Sequence, residues 1–301
     1  MKGLSSFQVG ISTAILAALC WGTATVMSKS ALADVPPVSL LVLQLAGSVV
    51  VLWLVVRVQR VSSGSWQEIA RYAWLGVLEP GLAYLFGLIG LTDMKAGAAT
   101  LIQSSEAIMI VVVSVVILRV VPTGRFLILS VVALAGLIIA LGLLNSGEAA
   151  GNGILGITLM FLATAVAAIY VVLSSRIALK TSPIVIVAWQ QTVALVFALI
   201  LLPAEWLLSP GGIAMPQSAK IWTLVLVSGI IQYALGFSLY MRALGCISAN
   251  IAGSFLNLTP VFGLGIAFVF LDEVMTPVQL VGTAVTIIAV MAISLSGQTQ
   301  H

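Results

Sequence analysis

Two carboxylates stand where a carboxylate is hardest to keep. Glu79 lies in AWLGVLEPGLAYLF and Glu106 in TLIQSSEAIMIVVV, each in an otherwise apolar stretch. In hydrocarbon an ionised carboxylate costs several kcal/mol, so each must face a partner, the interior of a helix bundle or a wet cavity, or be protonated. Two chemistries fit: binding a substrate ammonium, or carrying a proton. The alternative is a packing residue making one interhelical hydrogen bond. Around Glu106, Thr100 and Gln103 recur at helical spacing, and Asn250, Ser254 and Asn257 do the same later in the chain. Residues so spaced share one helix face, so each set reads as a polar stripe along a substrate pathway. Pro80-Gly81 and Pro260 are expected to bend their helices, since proline frees a carbonyl four residues back. Trp21, Tyr84, Trp189, Tyr233 and Phe237 fall deep within apolar runs and could wall a cavity that stacks on a ring or a cation.

These residues need a scaffold, and composition names its solvent. Of 301 residues, 61% are hydrophobic and only 7% are charged. A soluble domain is about a quarter charged, so this surface faces lipid. A net charge of +3, with no dense run of Lys and Arg, excludes a nucleic-acid footprint. Cys20 and Cys246 read as small buried hydrophobes, and two cysteines with one histidine form no metal cluster. There is no Walker motif, no His-Glu-x-x-His and no Gly-x-Ser-x-Gly, so no catalytic or cofactor-binding constellation is expected.

Apolar runs fall near 9–30, 38–57, 70–91, 95–117, 125–144, 153–175, 184–204, 219–241, 246–270 and 277–297. Each holds about 20 residues, enough to cross the bilayer as a helix. The first run is read as a retained span rather than a cleaved signal. Trp53, Trp66, Trp74, Trp206 and Trp222 near the run ends read as interface anchors.

With the N-terminus placed in the cytoplasm, the inner loops hold Lys2, Arg57, Arg60, Glu68, Arg71, Arg119, Arg125, Arg176, Lys180 and Arg242. The outer loops hold Lys29, Asp34, Asp93, Lys95, Glu148, Glu205, Lys220, Asp272 and Glu273. Nine of the 12 basic residues are then inside, as the positive-inside rule requires, and both termini are cytoplasmic.

The halves resemble each other. A shift of 147 places Gln44 on Gln191 and Pro36 on Pro183, and a shift of 153 places Gly76 through Glu79 on Gly229 through Gln232. A shift of 154 places Thr100 on Ser254, Gln103 on Asn257, Glu106 on Pro260 and Arg119 on Glu273. The reading is an all-α membrane protein with two five-helix repeats, 1–147 and 148–301. An odd number of spans per repeat inverts the second relative to the first. Gln44, Gln191 and Gln232 join the expected pathway through this correspondence.

The chain resembles the drug/metabolite transporter superfamily, specifically its EamA-type ten-helix exporters, over nearly its whole length. Trp21-Gly22, Tyr240 through Asn250, Leu258-Thr259-Pro260-Val261-Phe262, Leu271-Asp272-Glu273 and Gly282 carry the likeness. Glu106 stands where the first repeat usually has proline, and Arg119 where it usually has glutamate. Gln44 occupies a position often held by arginine. These departures resemble bacterial inner-membrane exporters of aromatic and small neutral amino acids. The resemblance implies a cavity lined by the first, third, fourth, sixth, eighth and ninth helices, and alternating access without ATP.

The expected function is export of amino acids or related metabolites across a bacterial inner membrane, with Glu79 and Glu106 as candidates for proton coupling. The expected partners are a small-molecule substrate, lipid and protons, in a monomer or weak homo-oligomer. Efflux of cationic aromatic compounds is the nearest alternative. An uncoupled channel or a non-transporting scaffold is the alternative from another class; saturable, competed flux would argue against both.

Overall fold

The computed structural model describes residues 5–61, 65–119, 123–142, 152–174, 182–208, 215–247, 252 and 255–296. Among these residues the secondary structure is entirely helical. Seven helices are long and apolar enough to cross a membrane. They are α1 (Ser6–Ala31), α2 (Pro37–Val58), α3 (Gln67–Thr92), α4 (Ala96–Ile117), α6 (Ile154–Ser174), α7 (Pro183–Leu208) and α8 (Ala219–Leu244). Three shorter apolar helices are α5 (Gly124–Ala140), α9 (Thr259–Leu271) and α10 (Pro277–Ser296). They fall where the remaining runs were expected.

Six helices form a closed ring. α1 packs on α8 and α9, α9 on α4, α4 on α6, and α6 on α3. The ring closes where Tyr84 of α3 meets Tyr233 of α8. Behind the α3–α8 side, α2 and α7 pack on each other and on both ring helices. On the α4 side α5 and α10 pair closely. The main packing pairs map onto one another when each helix is replaced by the one five places along: α1–α8 with α3–α6, α1–α9 with α4–α6, and α2–α8 with α3–α7.

Small residues permit these contacts. A Cβ on Gly76 would lie 1.9 Å from the Gln190 carbonyl oxygen, and one on Gly229 would lie 2.5 Å from the Gln44 backbone. The α5–α10 contact is similarly close, with Gly136 and Gly282 set against each other's backbone. Outward faces carry exposed aliphatic residues such as Ile128, Val131, Ile200 and Ile288, as lipid-facing helices require.

The charges sort to two ends. Arg57, Arg60, Arg71, Arg119, Arg125 and Arg242 are exposed at one end. At the other, carboxylates from one helix cap the open N-terminus of another. Glu273, just past α9, accepts from the Ala96 and Gly97 amides of α4 at 2.8 and 2.9 Å. Glu205 of α7 accepts from the Val38 and Ser39 amides of α2 at 2.7 and 2.8 Å. Asp93 accepts from the Gly156 amide of α6 at 3.1 Å, and Lys29 Nζ donates to the Leu91 carbonyl of α3 at 2.8 Å. α2 and α4 have no side-chain N-cap of their own, so these bonds satisfy amides that would otherwise be unpaired.

Candidate functional site

Three ring helices are irregular and a turn precedes a fourth, and these irregularities correspond in pairs. α3 contains a π-helical turn over Leu78–Leu82 and α8 one over Ile230–Gly236; the shift of 153 superimposes them. α4 is interrupted at Ser104-Ser105 and the chain turns at Asn257-Leu258 just before α9; the same shift brings Ser104-Ser105 onto those two residues, one position off the sequence alignment by 154 that set Gln103 on Asn257, because the helices that follow start at Glu106 and Thr259. Breaks of this kind expose backbone polar groups at depth, tolerated only where protein or a cavity receives them.

The three breaks within helices have different causes. Pro80 lacks an amide proton and disfavours helical backbone at the residue before it; Glu79 accordingly takes φ −140° and ψ 124°. In α8 no proline is present. There Trp21 Nε1 of α1 donates to the Gln232 carbonyl at 3.1 Å and Gln191 Nε2 of α7 donates to the Tyr233 carbonyl at 2.9 Å. In α4 the Ser104 and Ser105 hydroxyls bond back to the Leu101 and Ile102 carbonyls at 2.7 and 2.6 Å. Such back-bonding offers the chain an alternative to the helical ladder.

The aromatic residues form one band across α1, α3 and α8. Trp21 meets Phe237 edge-on at 5.4 Å and Tyr240 at 5.7 Å. Tyr84 lies 4.8 Å from Tyr233 and 6.4 Å from Phe237. Glu79 stands within electrostatic range of Glu106 and of Tyr84, Tyr170, Tyr233 and Tyr240. Both carboxylates sit deep in the bundle yet are only partly covered, as are Trp21, Tyr84, Gln103 and Tyr240. Among the described residues neither carboxylate forms a salt bridge.

Other expected pathway residues occupy different surroundings. Gln44 is fully buried and donates to Ser28 Oγ at 2.9 Å and Ser228 Oγ at 2.7 Å, tying α2 to α1 and α8. Gln191 accepts from Ser48 and holds the α8 bulge. Thr100 is fully buried against Gly263 and bonds back to the Gly97 carbonyl, which packs α4 on α9. Trp189 stands apart from the band, edge-on to Trp53 at 5.1 Å. Trp53 bonds Thr192 Oγ1 at 2.9 Å, so it is an interhelical tie as well as an end residue. Gln103 meets Met160 Sδ of α6 at 3.9 Å, and Gln232 is buried beside Tyr233. Asn257 is buried at the turn before α9. Pro260 is in the first turn of α9, where its missing amide is harmless, and the break precedes it. Gly81 lies in the α3 π-turn, close to the Gly76 carbonyl. Asn250 and Ser254 lie outside the described residues.

Sequence reasoning passed over Tyr240 as a wall residue, although Tyr233, Phe237 and Tyr240 recur at spacings of four and three along one helix face. The Ser104-Ser105 break also went unread. A serine pair inside an apolar run was the available signal.

The sequence has no match among curated proteins. A solved structure titled only as a crystal structure of a protein is similar over 97% of this chain and 99% of its own, with a TM-score of 0.66 and 17% identity. That likeness concerns the fold alone. The model of the EamA-like transporter family matches twice, over residues 8–142 and 154–295, once on each side of the segment joining α5 to α6. The chain thus belongs to the EamA-like transporter family and is a multi-pass membrane transporter, not an enzyme.

Proposed function

We propose that the protein is a secondary exporter of amino acids, aromatic and small neutral, working by alternating access between two inverted five-helix repeats. In this reading it crosses the bacterial inner membrane ten times with both termini in the cytoplasm. The observation that carries the substrate class is the pairing of Glu79 and Glu106 with the aromatic band of Trp21, Tyr84, Tyr233, Phe237 and Tyr240. Carboxylates suit an ammonium, and edge-on rings suit an aromatic or aliphatic side chain. The paired breaks in α3, α8 and α4, and ahead of α9, support a binding position between the repeats. The charge-sorted ends support the orientation. Protons are the coupling ion this site favours, since two neighbouring carboxylates can exchange a proton for a cationic group.

Purified protein in liposomes should release preloaded phenylalanine, tyrosine or alanine faster than protein-free liposomes, saturably and with mutual competition. No acceleration across a broad amino-acid panel overturns this function. The same carboxylate and ring chemistry also favours a second reading, efflux of flat organic cations. Protection of cells against cationic aromatics without any amino-acid flux would select it.

A further inference from the structure

One phenol in the site has no partner that explains its burial. Tyr233 is 0% exposed and its hydroxyl has no hydrogen-bond partner. Its position is nevertheless fixed from three sides. Gln191 holds its carbonyl, Trp21 holds the carbonyl before it, and its ring packs on Tyr84 at 4.8 Å with an interplanar angle of 62°. The hydroxyl lies within electrostatic range of the Glu79 carboxylate without bonding to it. The neighbouring Gln232 Oε1 is buried and likewise unpaired. A phenylalanine would satisfy the same packing without burying an idle hydroxyl, which is unfavourable until something bonds it. The site therefore keeps, within electrostatic range of its carboxylate, a buried donor that no group of the protein bonds.

Resting on the amino-acid reading above, we propose that the Tyr233 hydroxyl selects amino acids over the corresponding amines. It donates a hydrogen bond to the substrate carboxylate while the substrate ammonium donates to Glu79 and Gln232 Oε1. An amine of the same ring meets Glu79 equally well but leaves the phenol as unpaired as before, so it gains nothing from Tyr233. The ammonium is thereby shared between the two equivalent bulges, through Glu79 of α3 and Gln232 of α8, while the donor for the carboxylate comes from α8 alone.

The test compares L-phenylalanine with 2-phenylethylamine in proteoliposomes carrying the wild type or Tyr233→Phe. The variant should lose about tenfold in kcat/KM for phenylalanine, the value of a hydrogen bond to a charged group. Its handling of 2-phenylethylamine should stay within about twofold of wild type, as for a change touching no group that amine uses. Its thermal stability in detergent should be unchanged or higher, because no bond within the protein is removed. Unchanged phenylalanine kinetics would overturn the proposal, and so would an equal fall for both compounds. If the wild type moves neither compound, the amino-acid function itself falls and this inference with it. A wild type that moves both, with a variant that does the same, removes only the role of the hydroxyl.

Discussion

The bulges of α3 and α8 occupy equivalent places in the two halves, yet are built and furnished differently. In α3 the irregularity is written into the local chain by Pro80, and the residue it displaces is an acid, Glu79. In α8 nothing local demands a bulge. It is held from outside by Trp21 and Gln191, and the equivalent of Glu79 is the neutral Gln232. The geometry is shared while the charge is not. Both mid-span carboxyl groups belong to the first half, so the band of rings between the halves has acids on one side and none on the other. On the proposed reading, a pathway between two similar halves uses symmetric bends for movement and an asymmetric wall for recognition.

The largest effect should come from removing the acid that distinguishes them. Glu79→Gln makes the α3 bulge resemble that of α8 and should abolish the dependence of flux on an imposed pH gradient, as should Glu106→Gln. Vesicle flux at several gradients reads this directly. If both variants keep the wild-type dependence, neither carboxylate carries the proton.

Packing under the bulges offers the next comparison. Gly76 and Gly229 correspond, and each lets its helix touch a neighbouring backbone, but the fit is tighter at Gly76. Gly76→Ala places a methyl carbon 1.9 Å from a carbonyl oxygen, against 2.5 Å for Gly229→Ala. Overpacking costs about 1–3 kcal/mol where backbones can shift, and Gly76→Ala should lie at or beyond the upper end. Thermal unfolding in a mild detergent should rank it below Gly229→Ala; the reverse order would mean that the α3–α7 contact yields more easily than the α8–α2 contact.

The smallest effect should come from the outside support of α8. Gln191→Met removes one donor to the bulge, and interhelical hydrogen bonds in membranes average about 0.6 kcal/mol. A small loss of thermal stability is expected, with slower flux if the bulge positions Tyr233. An unchanged protein would show that Trp21 alone holds the bulge.

Much of the molecule was legible without coordinates. Apolar runs locate helices because lipid leaves the backbone no alternative to internal hydrogen bonds, and the described helices begin and end within a few residues of those runs, except that α9 begins at Thr259, well inside its run of 246–270. Glu79, Glu106, Trp21, Tyr84 and Phe237 stood out because a polar or ring-bearing residue at depth is conspicuous against aliphatic neighbours, and these five do come together. Gln44, Gln191 and Thr100 were equally conspicuous for the same reason. Hydropathy could not tell a polar group facing a pathway from one tying two helices together.

That distinction depends on partners far away in the chain. Gln44 pairs with Ser228 across 184 positions and Trp21 with Gln232 across 211. The cap that Glu273 places on α4 spans 177. No local pattern encodes such contacts, and none would reveal a bulge in α8 that lacks a proline. The sequence by itself determined the solvent, the approximate helices, the likeness of the halves and the two mid-span acids, because each follows from side-chain chemistry within one span or from comparison of the halves. Only the tertiary structure decided which polar residues tie helices together, which rings meet in one band and which hydroxyl has no partner within the protein, because each is a property of helices brought together.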